Sequence, residues 1–344
     1  MTRGALAFLI VLLIAAFGGE ARARVEGPGA GDVRLLADRL LHDHPNPFHD
    51  LSRAKFDAEI AEVAARADSL GDAALARTKT VAGDPSLFAY DANRPLALQL
   101  GTTQSGGGVV RQELTFDAGR GPVPVHGYWT HPPGNGPWPV VLFSPGFAGD
   151  DTEQLPDSNS LVRKGIASLT VAPPTALISC NARADVRAYA DYVIGRRRAL
   201  DLLAQLPGAD SSRVAAVGFS FGAAVTGTLV GVDHRLRAAV IQSGRAHLST
   251  ASSVACTRLG KAKLAAWRKA VSVVDPVHWV GSSAPAALLF QNGTLDTISP
   301  RADVNAYVKA AGKPKELRWY KAAHRLNAAA YAYRDSWLAK RLLR

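Results

Sequence analysis

Ser220 is the centre of Gly218-Phe219-Ser220-Phe221-Gly222, a match to G-x-S-x-G, the pattern of a nucleophile on a sharp strand-to-helix turn. The pentapeptide is common by chance, so its flanks matter. Arg213-Val214-Ala215-Ala216-Val217 reads as a strand leading in, and Ala223-Ala224-Val225-Thr226-Gly227 as a small-residue helix leading out. Glycines on both sides of the turn leave room where a Cβ would meet neighbouring backbone. The hydroxyl would then project from the C-terminal edge of a parallel sheet, where open α/β sheets hold ligands. A tight turn with a chance serine is the bland alternative, and the flanks argue against it.

A serine hydroxyl attacks only when a base takes its proton. Behind such an elbow the partners follow in the order acid, then histidine. Ala286 to Gln291 reads as the next-to-last strand, and the loop leaving it, Asn292-Gly293-Thr294-Leu295-Asp296, supplies Asp296 as the acid. Asp303, in the helix that follows, is the fallback. Leu317-Arg318-Trp319-Tyr320 reads as the last strand, and His324 four residues on is the only histidine in the C-terminal sixty residues. Charge developing on a carbonyl oxygen needs fixed N–H donors, each worth about 10²–10³ in rate. One is expected from Phe221, directly after the nucleophile, and one from Phe147 in the loop Ser144-Pro145-Gly146-Phe147-Ala148-Gly149. The glycines of that loop are read as letting backbone approach the substrate. This chemistry requires no metal and no redox cofactor.

Eight strands are expected: Val109–Phe116, Val123–Trp129, Pro139–Ser144, Ile166–Val171, Arg213–Phe219, Arg237–Gln242, Ala286–Gln291 and Glu316–Tyr320. Asp117 to Gly121 makes the first two a hairpin. The last six are short apolar runs separated mostly by helical segments, the pattern of a parallel sheet covered on both faces. Between Ser243 and Ala284, Leu259, Leu264, Trp267 and Val271 suggest one amphipathic cap helix, with Lys261, Arg268 and Lys269 outward.

The net charge of the 344-residue chain is +11, but its basic residues are scattered. The one tight run, Arg196-Arg197-Arg198, is assigned to the solvated face of a helix opening at that run, with Tyr189, Val193, Leu200 and Leu203 as its apolar positions. No nucleic-acid partner is expected. Arg3, the apolar stretch Ala5 to Phe17 and Ala21-Arg22-Ala23 read as an export signal over residues 1–23, and hence a secreted or periplasmic protein. The stretch is short of the roughly 20 residues a membrane span needs, which makes an uncleaved anchor the lesser alternative. Residues 24–85 read as a helical segment and 86–344 as the main domain, with a cap over about 244–284. His42, His44 and His49 with Asp43 and Asp50 crowd the first of these, but the prolines between them and the lack of an i,i+4 pair argue against a metal site. The same stretch is similar to the helical N-terminal region of some C-terminal-processing peptidases. Cys180 and Cys256 are the only cysteines, and in an exported chain they can form one disulfide. Two buried thiols are the alternative.

From about Asp84 onward the chain resembles bacterial α/β-hydrolase esterases of the dienelactone-hydrolase and acetyl-esterase type. The likeness lies in Asp84 to Asp91, Arg197 to Leu203, the elbow, Val274-Asp275-Pro276-Val277, and Lys315 to His324. Ser144-Pro145-Gly146-Phe147 looks like the oxyanion loop of bacterial cutinases and polyester hydrolases. Three departures stand out: Pro145-Gly146 replaces the His-Gly of many relatives, His324-Arg325 replaces their His-Gly, and serine replaces the cysteine of dienelactone hydrolases proper. The resemblance implies an α/β-hydrolase fold and a serine hydrolase acting on a small-molecule ester, with short acyl groups expected from the short cap. Amide or peptide hydrolysis, polyester hydrolysis, and a non-catalytic binding protein are the rival readings.

Overall fold

The computed structural model describes residues 84–119, 124–147, 149–173 and 178–344. The expected signal, the helical segment and the His42–His49 cluster lie outside them. Nine strands form one sheet: β1 Gln99–Gly106, β2 Val109–Phe116, β3 Val125–His131, β4 Trp138–Ser144, β5 Ala167–Val171, β6 Ala209–Phe219, β7 Leu236–Gln242, β8 Ala287–Gly293 and β9 Lys315–Tyr320. Their spatial order is β1-β2-β3-β5-β4-β6-β7-β8-β9. The last six are mutually parallel, while β1, β2 and β3 join antiparallel at one edge.

The apolar runs form strands because both faces of the sheet are covered. Val140 and Leu142 of β4 pack on one side with residues of helices α2 (Ala182–Leu202), α3 (Phe221–Val232) and α6 (Arg301–Ala310). Val141 and Phe143 pack on the other side, with α1 (Leu155–Val162) and α7 (Ala328–Leu342). Two further helices, α4 (Leu248–Ala251) and α5 (Lys261–Val271), belong to the segment between β7 and β8. Among the described residues no helix is long and apolar enough to cross a membrane.

Two expectations need correction. β1 is a ninth strand that the sequence reading missed. Every residue of Gln99–Gly106 is exposed, so no face selects an apolar alternation. A two-glycine turn with positive φ at Gly107 and Gly108 attaches it to β2. The second concerns Arg196-Arg197-Arg198, which lies in the last third of α2 and is not a solvated face. Arg196 and Arg198 are each 1% exposed. Arg198 donates to the carbonyls of Pro95 and Asp117, and Arg197 to that of Phe88 and to Asp233. Carbonyls between the regular elements accept from Arg197 and Arg198, and the Asp233 carboxylate from Arg197, pairings that charge patterning cannot reveal.

Candidate active site

β6 ends at Phe219 and α3 begins at Phe221, leaving Ser220 alone in the turn with φ 54° and ψ −113°. Such a conformation costs a non-glycine residue of order 1–3 kcal/mol, and the packing around it must hold it. A Cβ on Gly218 would lie 2.1 Å from the Gly222 carbonyl oxygen, and one on Gly222 would lie 2.0 Å from that of Ser144. The two glycines therefore allow the helix, the strand and the loop after β4 to converge. The Ser220 N–H donates to the Gln242 carbonyl at the end of β7 (2.9 Å), which ties the elbow to the neighbouring strand.

The structure brings Ser220, His324 and Asp296 together from three C-terminal strand ends. His324 Nε2 is 2.8 Å from Ser220 Oγ, and its Nδ1 is 2.9 Å from Asp296 Oδ2. The other oxygen of Asp296 accepts the N–H groups of Ile298 and Ser299, at 2.8 and 3.0 Å. The carboxylate is thus buried and fixed with one oxygen left for the imidazole. The fallback acid, Asp303, is engaged elsewhere: it binds His247 Nδ1 at 2.5 Å, Arg245 and the Ala246 N–H.

Phe147 and Phe221 face one another with ring centroids 5.8 Å apart. Both line a cavity of about 370 Å³ that opens on Ser220. Ile178, Leu248, Ala251, Ala255 and Ile298 add to its largely apolar wall, and Arg245 is the one charged residue among the described residues that line it. The α5 helix is amphipathic as expected, burying Trp267 and Val271 with Lys261, Arg268 and Lys269 exposed. It packs in the cluster of α2, however, and the cavity wall comes from the shorter segment before it. A disulfide joins Cys180 to Cys256, Cα atoms 5.4 Å apart, and ties the Ile178 side of that wall to the Ala255 side.

Several supporting residues escaped the sequence reading. Ser243, with φ 51°, donates from Oγ to the His324 carbonyl (2.6 Å) and accepts Ser299 Oγ on its own carbonyl (2.9 Å). It thereby links the loops that carry His324 and Asp296. Arg196 lies beneath the loop after β4, donating to Ser144 Oγ (3.1 Å) and the Val171 carbonyl (2.7 Å). Its guanidinium covers the ring of Tyr192, and the Tyr192 hydroxyl donates to the Pro145 carbonyl. Burial pushes the Arg196 guanidinium below its ordinary value and the Tyr192 phenol above its own. The loop glycines also make room for a side chain that the sequence did not point to. A Cβ on Gly149 would lie 2.2 Å from Glu153 Oε2, and the Gly146 N–H donates to that same oxygen at 2.7 Å. The close approach is to Glu153. The only signal for it was the acidic residue seven positions after Gly146.

A mostly parallel sheet with a serine elbow at its C-terminal edge, an acidic residue after β8 and a histidine after β9 is the arrangement of the α/β-hydrolase fold. The comparisons with known proteins agree. Residues 96–262 match the family model described as Esterase FrsA-like. Esterase FrsA of Escherichia coli O157:H7 is 33% identical over 120 residues, 34% of this chain. The chain spans 27% of the length of that curated relative. Acetyl xylan esterase 1 from Thermoanaerobacterium sp. JW/SL YS485 superposes with a TM-score of 0.62 at 13% identity, covering 74% of this chain and 90% of that one. The acetyl xylan esterase from Paenibacillus sp. R4 gives 0.60 at 19%, with 75% and 92% covered. A putative dienelactone hydrolase from Klebsiella pneumoniae subsp. pneumoniae MGH 78578 gives 0.52 at 17%, with 69% and 100% covered. The resemblance to α/β-hydrolase esterases read from the sequence holds.

Proposed function

We propose that the protein is a serine hydrolase that cleaves carboxylic esters of short acyl groups through a covalent acyl-enzyme. The observation that carries this reading is the unbroken chain Ser220 Oγ–His324–Asp296 at the mouth of an apolar cavity. The esterase character of the matched family and neighbours supports the choice of substrate class.

In this mechanism His324 Nε2 takes the Ser220 proton as Oγ attacks the ester carbonyl. Asp296 holds the Nδ1–H and stabilises the imidazolium. The oxyanion accepts the N–H groups of Phe147 and Phe221. Collapse breaks the bond to the alcohol, which leaves with the proton from His324. Water activated by the same imidazole then releases the acid and restores Ser220. The donors act strongly because the apolar wall keeps water from competing with them.

The short-acyl preference is supported by the wall itself. Leu248, Ala251 and Ala255 come from one short segment, which offers little apolar surface to a long chain, although each buried CH₂ would be worth about 0.8 kcal/mol. Exposed apolar side chains at the mouth, Phe147 at 50% and Ile298 at 52%, favour polyester hydrolysis as a second reading. Fluorophosphonate labelling of wild type and Ser220→Ala tests the nucleophile. Labelling that survives the substitution, or is absent from folded wild type, defeats the mechanism. A p-nitrophenyl ester series from two to twelve carbons tests the acyl group: kcat/KM should fall beyond four carbons, and a rise to twelve would contradict it.

A further inference from the structure

We propose that Glu153 and Arg325 form a charge-balanced clasp that holds the oxyanion loop in its working geometry, with Glu153 as the positioning residue and Arg325 as its neutraliser. This rests on the reading of Ser220, His324 and the Phe147 loop as catalytic machinery.

One oxygen of the Glu153 carboxylate takes the Gly146 N–H at 2.7 Å. The other pairs with the Arg325 guanidinium. The side chain of Glu153 is largely buried, and only the absence of a Cβ at Gly149 gives its carboxylate room. With the Gly146 N–H committed to Glu153, the next N–H along the loop, that of Phe147, is the one left to face the serine. The device has a cost. It sets a negative charge one peptide unit from the donor that must stabilise a negative oxygen, and partly buried charges are weakly screened. Arg325 offsets that charge. It directly follows His324, at the position where the resemblance leads one to expect glycine. Its guanidinium covers the ring of Phe219 at 4.9 Å, and that ring in turn contacts the His324 imidazole at 5.2 Å. The pair thus links the loop after β4, the residue before the nucleophile and the residue after the base.

Charge balance makes a demand that a plain cross-link does not. In R325A the carboxylate stays at the oxyanion loop without its partner, so kcat should fall about tenfold, a fraction of the 10²–10³ a full donor is worth. KM should change by less than about twofold, since the ground-state carbonyl carries little charge. Adding E153Q to R325A removes the charge while keeping an acceptor for the Gly146 N–H, so kcat should recover several-fold. E153A frees that N–H and should lower kcat. Affinity for phenylboronic acid, which mimics the tetrahedral anion, should follow kcat through the series. Fluorophosphonate labelling and thermal melts of each variant establish that the elbow is intact. R325A with wild-type kcat overturns the inference alone. So does a double variant no better than R325A, because the tie would then be mechanical. Wild type that neither labels at Ser220 nor hydrolyses any ester overturns the proposed function and this inference with it.

Discussion

Removing the Cys180–Cys256 bond should lower stability and loosen the substrate cavity while leaving the reacting groups in place. The cysteines are 76 residues apart. The loop between them contains all of α2, β6, Ser220, α3 and β7. In the chain-entropy treatment, closing a loop of that length destabilises the unfolded chain by about 4.5 kcal/mol at 25 °C, against about 2–4 kcal/mol typical of measured disulfides. For a domain of this size about 3 kcal/mol corresponds to a melting shift of roughly 6–12 °C. The functional effect follows from position. Ile178 lies two residues before Cys180 and Ala255 directly before Cys256, and both line the cavity. Ser220, His324 and Asp296 are held by β6, β8 and β9, independently of the bond. KM should therefore rise severalfold while kcat changes little. The assay compares melting curves and ester kinetics of wild type, with and without reductant, with those of the Cys180→Ala/Cys256→Ala double variant. Thiol titration confirms reduction. Reduced protein that melts within about 1 °C of the oxidised form with an unchanged KM would refute the reasoning, as would a loss confined to kcat.

Ser220→Ala and His324→Ala should each remove nearly all ester hydrolysis, with the double variant little worse than either, because such groups act as a unit. Asp296→Asn should cost several orders of magnitude in kcat and Asp303→Asn far less; the reverse order would reassign the acid. Arg196→Met replaces a buried guanidinium that has no carboxylate within ion-pair distance among the described residues but supports Ser144 and Tyr192. The apolar swap should leave stability within about 2 kcal/mol, since ions are costly to bury, yet lower kcat by displacing the oxyanion loop. Stopped-flow acylation rates equal to wild type would argue against that support. Burial pushes the Asp275 carboxyl above its ordinary value of 3.8, against the opposing hydrogen bonds from Ser249. The folded state therefore binds this proton more tightly than the unfolded chain, so the site gains stability as pH falls through its raised folded value toward 3.8. Urea midpoints of wild type minus those of Asp275→Asn should thus increase between pH 7 and pH 4.5, and a decrease would reverse the sign.

The catalytic candidates were legible because each obeys a local rule. Gly218 and Gly222 stand where any side chain would strike backbone. Asp296 follows a short, bounded apolar run and His324 the short strand after it, and chain order along a parallel sheet does the rest. Asp296 was separable from Asp303 only as the nearer to the strand end; the hydrogen bonds to His324 and His247 now distinguish them.

The sequence by itself determined most of the elements that bury apolar side chains, the mostly parallel character of the sheet, and the strands that Ser220, Asp296 and His324 follow. Burial on both faces calls for a bounded apolar run, and such a run can be read from one chain. Tertiary structure alone decided what depends on partners far apart in sequence. β1 pairs through backbone with no apolar face to announce it. Arg196 and Arg198 are buried because carbonyls of Val171, Pro95 and Asp117 happen to reach them. Glu153 meets Arg325 across 172 residues because two loops end at one edge of the sheet. Hydrogen bonds and ion pairs of this kind carry no periodicity, so only the folded chain brings their partners within reach.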